Sequence, residues 1–307
     1  MVLDPKSGLP LVSIITPCLN MARFIGHTVR SVLEQDYPHI EHVVMDGGST
    51  DGTLEALDAF RDRVRVFSEP DRGAADAINK GFARTSGEIV TFLNADDFYY
   101  PGAVAAAVRG FAETPGSAAI YGDGVWVDAA GEIIEPYPVE PFDRQRLAYE
   151  CFICQPASFL RRGAIESIGL LDASLRYTFD YDLWIRLSRQ GRVVKIDERL
   201  AASRMHSDNI SLGSRKAVFQ ETIALLRRHF GYVPFRWVHS YCSFRIDRRD
   251  QFFEPLRPGF AKYAASLPVG LFYNWRHPLR YVGEWGSVMS REGLERRINA
   301  VWRRERK

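Results

Sequence analysis

Asp96 and Asp97 stand side by side directly after an apolar run, Val90 to Leu93, and shortly before the helix breaker Pro101. Adjacent carboxylates repel each other, so a fold that keeps both against its core needs a positive group beside them. Carboxylate oxygens are hard ligands suited to Mg2+ or Mn2+, which take one or two protein carboxylates and complete their shell with substrate phosphates. The competing reading is a cap pair ahead of the helical pattern "PGAVAAAV". Asp46 closes a second apolar run beside Gly47 and Gly48, where a flat group can approach the backbone. Its carboxylate can accept hydrogen bonds from a ribose hydroxyl or a base N–H, or it can cap the turn "GGSTDGT". The residues alone leave both uses open.

Positioning these groups requires a sheet. "LVSIIT" (11–16), "IEHVVMD" (40–46), "VRVFSE" (64–69) and "EIVTFLN" (88–94) read as strands, and each is followed by a helical pattern. Strands spaced by helical crossovers mean βαβ units and a largely parallel sheet. Ligands of such sheets collect beyond the carboxyl ends of the strands. There this chain places Thr16 to Asn20, Asp46 to Asp51, Glu69 to Arg72 and Asn94 to Asp97. Four polar stretches at one edge of one sheet describe a site rather than a loop. After Ala118, "AIYGDGVWVDAAGEIIEPY" reads as two strands joined by a turn, "YDLWIRLSRQG" as a helix, and "RVVKID" and "LAASRMH" as two further strands. From Ser214 the pattern becomes helical. The expected organisation is a catalytic domain over 1–213 and a basic, aromatic-rich helical region over 214–307.

Composition narrows the function classes. With 46% hydrophobic and 25% charged residues the chain is ordinary for a folded globular protein. The net charge of +2 hides a contrast. Residues 214–307 carry 19 Lys and Arg against 8 Asp and Glu, whereas residues 1–213 carry 21 against 30. Four scattered cysteines do not make a disulfide framework, and Cys151 and Cys154 in "CFIC" read as structural thiols in a reducing compartment. No signal peptide and no spanning apolar run is legible, which points to a cytoplasmic protein or one attached to a membrane from that side. The place after the first strand holds "TPCLNMARF" and no G-x-G-x-x-G, and no G-x-x-x-x-G-K-[ST] occurs anywhere. Hydride transfer and ATP hydrolysis on those loops lose their footing.

"TPCLN", "DGGSTDGT", "EPDRGAADAINKG" and "FLNADD", in that order and spacing, resemble the family 2 glycosyltransferases. The likeness continues through "QPASFLRR", "FDYDLWIRL" and "RMHSDNIS", covering about residues 10–213. It implies the GT-A fold: a Rossmann-like α/β, mixed but mostly parallel sheet flanked by helices, here with a mainly helical C-terminal extension. It further implies that Thr16, Pro17 and Asn20 line a nucleotide pocket, that Asp46 holds base or ribose, and that Asp71 and Arg72 flank the diphosphate. Asn94 and Ala95 would sit beside the donor. Asn94 stands where the metal-binding Asp-x-Asp motif has its first Asp, leaving Asp96, with Asp97, for a divalent Mn2+ or Mg2+. His206 matches a position that completes the metal shell in several relatives; by itself it reads as a loop histidine.

The implied reaction asks for these residue types. A departing nucleoside diphosphate develops negative charge that a divalent cation stabilises, and an acceptor hydroxyl attacks only once a carboxylate removes its proton. "TFDYDLW" supplies Asp180 and Asp182. Family members usually show Glu-Asp before the aromatic, where this chain has Phe179-Asp180. Asp180 is the expected base and Asp182 the second candidate or orienting partner, one of the two also capping the helix. Asp123 reads equally as a sugar contact or a turn aspartate, and Trp184 as helix core.

The expected function is inverting transfer from a nucleoside-diphosphate sugar, a UDP-sugar by preference, to a glycan or lipid-linked acceptor in cell-surface polysaccharide or glycolipid synthesis. Transfer to a polyprenyl phosphate and a non-catalytic nucleotide-sugar-binding protein are the alternatives. Residues 214–307 mix Arg with aromatics as interfacial segments do, so peripheral membrane contact is expected there, against a plain helical subdomain. No nucleic-acid module is recognised, and no nucleic-acid partner is expected.

Overall fold

The computed structural model describes residues 8–206, 209–247 and 259–289. Two compact units form. Within the described residues, one comprises 8–144 with 151–206, and the other 145–150 with the chain from 209 onward. The sequence pattern alone puts the change near Ser214.

The first unit opens with β1 (Val12–Cys18), α1 (Ile25–Leu33), β2 (Ile40–Asp46), α2 (Thr53–Asp58), β3 (Arg65–Ser68), α3 (Ala74–Phe82) and β4 (Ile89–Phe92). It continues with β5 (Phe98–Tyr99), α4 (Ala103–Glu113), β6 (Ser117–Val127), β7 (Ile133–Pro136) and β8 (Ser158–Arg161). α5 (Arg162–Ser167), α6 (Phe179–Gln190) and β9 (Arg192–Arg204) complete it. The strands make one sheet in the order β3-β2-β1-β4-β8-β6-β9-β5, and β7 pairs antiparallel with the last residues of β6. β3, β2, β1 and β4 are mutually parallel, as are β6 and β9; β8 runs antiparallel between β4 and β6. This is the expected mixed, mostly parallel α/β fold. The two strands read in "RVVKID" and "LAASRMH" are one, β9, because β6 pairs along both halves across irregularities near Tyr121 to Gly124.

Side-chain chemistry explains the elements. β1 is buried along its whole length between neighbours on both sides, so it reads as a continuous apolar run rather than an alternation. α3 lies tightly on β1: a Cβ on Gly81 would come within 2.4 Å of Ile15 Cγ2. α1 buries Ile25, Val29 and Val32 with Thr28 and Ser31. The Thr28 hydroxyl donates to the carbonyls of Ala95 and Asp97 at 2.8 and 2.7 Å, which ties the helix to the acidic loop. Pro17 is tolerated in a central strand because β4 pairs β1 only as far as Ile15. Beyond that point β1 runs on to Cys18 paired with β2, at the edge where sheets of this kind bind ligands.

His42 on β2 lies in this core, its Nε2 2.9 Å from Thr16 Oγ1, and burial lowers its pKa to about 3. The folded chain keeps it neutral while the unfolded chain protonates it below about pH 6.5. Stability held above pH 6.5 is therefore lost as pH falls toward 3, at up to about 1.4 kcal/mol per pH unit from this group. His42→Gln is expected to remove that part of the slope in denaturant unfolding followed from pH 7 to pH 4. An unchanged slope refutes the assignment.

The second unit is helical: α7 (Ile210–Gly213), α8 (Arg215–Phe230), α9 (Phe235–Asp247), α10 (Phe260–Tyr273) and α11 (Pro278–Met289). No helix among the described residues is long and apolar enough to cross a membrane. All four cysteines are free, and burial pushes the Cys18 and Cys154 thiols far up.

Candidate active site

The loops at the carboxyl edge are stitched to one another. Asn20 adopts the left-handed region at φ 53°, which Asn tolerates better than most residues. Its N–H donates to Ser49 Oγ at 2.7 Å, and its Oδ1 accepts from Thr50 N–H at 2.9 Å. Ala22 N–H donates to Asp51 and Met21 N–H to Thr53 Oγ1. The loop after β1 and the loop after β2 are thus one polar structure.

Asp46 organises it from below. Its buried carboxylate accepts from the N–H groups of Gly48 and Ser49 and, at 2.6 Å, from the Ser68 hydroxyl. The turn-shaping use that the sequence leaves open is thus present. Asp71 leans across Gly47, where a Cβ would lie 2.5 Å from its Oδ2, and its Oδ1 accepts from Gly73 N–H at 2.7 Å. Gly47 is the position at which close approach demands a glycine, and it brings the β2 and β3 loops together. Arg72 is exposed and folds back on α3, donating to Asp76 at 2.9 Å. Thr16 is fully buried, its hydroxyl engaged by His42, and Pro17 is buried beside it.

The acidic pair divides in two. Asp97 is enclosed: its Oδ1 accepts from Arg204 N–H at 2.9 Å and its Oδ2 from Asn94 Nδ2 at 3.1 Å. Burial, and then the neighbouring Asp96 charge, hold its carboxyl well above the usual carboxylate range. Asp96 instead turns to His206, its Oδ2 3.0 Å from Nε2 with both side chains buried. The His206 ring lies tilted at 38° against Phe24, with centroids 4.6 Å apart, and its buried Nδ1 has no hydrogen-bond partner among the described residues.

The positive group demanded by this pair is Arg204, the last residue of β9, 107 residues from Asp97 in sequence. Its guanidinium is buried, with Nε donating to the Asp96 carbonyl at 2.8 Å and Nη1 to the Ala129 carbonyl at 3.1 Å. Nη2 lies 2.8 Å from His27 Nδ1, and the Phe24 and Phe98 rings cover it at 5.1 and 5.3 Å. Burial first, then the Arg204 charge, lower the His27 pKa, so its ring presents a neutral acceptor. Gln155 braces the same loop, donating to the Phe92 carbonyl at 2.6 Å while its Oε1 accepts from Asn94 Nδ2 at 3.3 Å. Ala95 is buried beneath the loop.

Among the described residues no group of three or more His, Cys, Asp and Glu side chains gathers as a complete metal cage. The Asp96–His206 pair nonetheless fits a substrate-completed site. A carboxylate oxygen and an imidazole nitrogen 3.0 Å apart are donor types that would hold a Mn2+ or Mg2+ ion. One carboxylate oxygen and one imidazole leave the remaining positions for phosphate and water.

The two carboxylates of α6 also part company. Asp182 is fully buried and pairs with Arg186 at 2.6 Å, whose other nitrogens donate to the Ile168 and Leu170 carbonyls. Asp180 lies in the first turn, half-buried, with its Oδ1 accepting from Tyr181 N–H at 2.7 Å. Phe179 packs on Phe92 at 6.0 Å, which sets the start of α6 beside the end of β4. Trp184 is fully buried in the core, and Asp123 pairs with Lys195 at 3.0 Å.

Sequence reasoning passed over Arg204, Gln155, Phe24 and His27. The demand for a cation was legible, but which of the chain's 40 Lys and Arg met it was not. The Asp182–Arg186 spacing of four was the one local signal available.

Comparison with known proteins agrees with this architecture. The fold is similar to Staphylococcus aureus TarS 1-349 solved in complex with UDP-GlcNAc, at TM-score 0.58 and 16% identity over 86% of this chain and 80% of that one. It is similar as well to the Pyrobaculum calidifontis mannosyltransferase PcManGT solved with GDP-Man and Mn2+, at TM-score 0.55 and 18% identity over 96% and 80%. In sequence, an uncharacterized glycosyltransferase of Rickettsia felis is 31% identical over 67% of this chain, which spans only 36% of that protein's length. A Mycobacterium tuberculosis PGL/p-HBAD biosynthesis glycosyltransferase is 33% identical over 58% of this chain and 69% of its own. The model of glycosyl transferase family 2 matches residues 13–169, just over half of the chain, and it is to that family of sugar transferases that the chain belongs.

Proposed function

We propose that this chain transfers a sugar, with inversion, from a nucleoside-diphosphate sugar to a hydroxyl of a glycan or lipid-linked acceptor in cell-surface polysaccharide or glycolipid synthesis. The observation that carries the reading is the Asp96–His206 pair, set 3.0 Å apart at the carboxyl edge of a sheet whose loops are already locked together. The nucleotide-sugar complexes of TarS and PcManGT, the latter with Mn2+, support a nucleotide-sugar donor, and UDP is the base we favour. The mycobacterial relative, named for PGL/p-HBAD biosynthesis, supports a biosynthetic transfer.

In this reading Asp96 and His206 hold a Mn2+ or Mg2+. When bound, it neutralises charge on the departing diphosphate. Asp97, enclosed by Asn94 and Arg204, holds the loop in shape instead of ligating. Pro17, Asn20, Asp46, Asp71 and Arg72 border the donor side, with Thr16 beneath them. Asp180 takes the proton of the acceptor hydroxyl as its oxygen bonds to the anomeric carbon, and the nucleoside diphosphate leaves with the electrons of the broken bond. With one base and one displacement, attack comes from the face opposite the leaving group and the configuration inverts.

A thermal-shift panel of UDP-, GDP- and dTDP-sugars, each with and without Mn2+, tests the donor side. One nucleotide sugar is expected to raise Tm by several degrees with Mn2+ and to lose most of that shift in EDTA, because ligand that binds only the folded chain stabilises it by mass action. A panel with no shift in any combination would sink the reading.

A further inference from the structure

α10, "FAKYAASLPVGLFY", contains one charged residue in 14, and that residue faces inward: Lys262 is buried and paired with Asp247. The outward positions recur at every fourth residue: Phe260, Ala264, Pro268 and Phe272, with Phe260 81% and Phe272 72% exposed. The turn into α11 adds Trp275, 62% exposed, and the start of α11 adds Leu279, 86% exposed. Monomer surfaces seldom collect large apolar side chains in this way without a use for them.

Poor packing does not explain the exposure, because the inward side of the same hairpin is closely fitted. Tyr281 packs against Gly270 and donates to the Ser266 carbonyl at 2.9 Å, and any Cβ on Gly270 would overlap its ring. Trp285 Nε1 donates to the Tyr263 carbonyl at 3.0 Å. Asn274 grips the backbone of Val233 through both its oxygen, at 2.7 Å, and its nitrogen, at 2.9 Å. The turn is held rigid with its apolar groups outward.

Charge identifies the occupant. Arg276 is exposed and stacks on Trp275 at 4.9 Å; Arg280 lies over the Tyr232 ring at 3.8 Å. No acidic residue lies between Phe260 and Tyr281. The following residues 290–307 carry seven Lys and Arg against three Asp and Glu. An apolar face with Trp at its margin and Arg beside it suits a lipid interface with anionic headgroups. A second copy of the chain suits it less, since a two-fold contact presents each cationic margin to its own image.

We propose that the outer face of the α10–α11 hairpin, centred on Phe272, Trp275 and Leu279 and flanked by Arg276 and Arg280, seats this chain on an anionic lipid surface. The proposal deepens the lipid-linked acceptor reading by naming the surface that brings the chain to its acceptor, and it rests on that reading for its purpose alone.

Flotation of the full chain with vesicles tests it, without nucleotide sugar. Phosphatidylglycerol–phosphatidylethanolamine vesicles are expected to carry the protein, and pure phosphatidylcholine vesicles to carry at least tenfold less. Phe272→Ser with Leu279→Ser should reduce flotation at least tenfold, and Arg276→Gln with Arg280→Gln by about fivefold per charge. The serine variant should keep the wild-type Tm, since Phe272 and Leu279 are exposed, whereas the glutamine variant also gives up the Arg280 contacts with the Tyr232 ring and Glu284, so its flotation is compared at a temperature below its own measured Tm. Equal flotation on both vesicle types, no flotation, or a serine variant that floats like wild type overturns the proposal. So does a wild-type dimer in light scattering that the serine variant dissociates, which would assign the face to a second copy. The donor-induced thermal shift, measured on the same variants, fails independently of flotation, so the loss of one reading is not mistaken for loss of the other.

Discussion

Asp180→Asn is expected to lower kcat for sugar transfer by about 10^2 to 10^4, the range a positioned general base contributes, while the donor-induced thermal shift stays as in wild type. Asn keeps the shape of the side chain and its hydrogen bond from Tyr181 N–H but cannot accept the proton. The informative contrast is Asp182→Asn. Asp182 is fully buried and bound to Arg186 at 2.6 Å, so its replacement should weaken stability by about 2 kcal/mol through the lost charge-assisted bond and leave kcat within a few-fold. A competent Asp180→Asn enzyme, or an Asp182→Asn enzyme that folds normally and is dead, reverses the assignment. Initial rates with a fixed donor and urea unfolding of both variants decide between these outcomes.

Arg204→Met should give the largest loss of stability. The guanidinium is buried close to Asp96 and Asp97 and bonded to the Asp96 and Ala129 carbonyls, and removing it leaves those acceptors and the pair's negative charge without compensation. Breaking a buried charge interaction from one side costs about 3–5 kcal/mol, a Tm loss on the order of 10 °C at this chain length. Asp97→Asn placed in the same chain should recover about 1–3 kcal/mol of the deficit, because the pair then holds one carboxyl instead of two. Urea unfolding of the two single variants and the double variant measures the coupling. Strict additivity would mean that Arg204 acts only through packing on Phe24 and Phe98.

The same numbers explain why the acidic pair resolves into unlike partners. One buried cation cannot satisfy two carboxylates equally when one of them sits deeper. Arg204 offers its backbone N–H to Asp97 and its side chain to the backbone of Asp96, so the Asp96 carboxylate is left facing His206. Adjacent residues of identical type therefore meet different partners: Asp97 accepts from Arg204 N–H and Asn94, and Asp96 faces His206.

Much of the fold could be read from local pattern. β2 occupies Ile40–Asp46 as its apolar run suggests, and α3, α4, α6 and α8 fall within a residue or two of their helical periods. The four polar strand ends stand at one edge because βαβ connections leave parallel strands no other arrangement. β5, two residues long, and β8, four residues long, carry too little pattern to be seen. The join of β9 across "DER" was hidden because its pairing is set by β6 and not by its own residues.

What the sequence determined by itself was which chemistry was available: carboxylates, a histidine and glycine-rich turns at recurrent strand ends, with a basic and aromatic region behind them. These are properties of residue type and short spacing, and short-range physics acts on them directly. What only the tertiary structure decided was the assignment among like residues: Asp96 over Asp97 as the partner of His206, Asp182 as the partner of Arg186, and Arg204 as the neutralising cation. Those choices depend on burial and on contacts spanning as many as 110 residues. Desolvation makes a charge's fate depend on what surrounds it in space, and no count along the chain contains that distance.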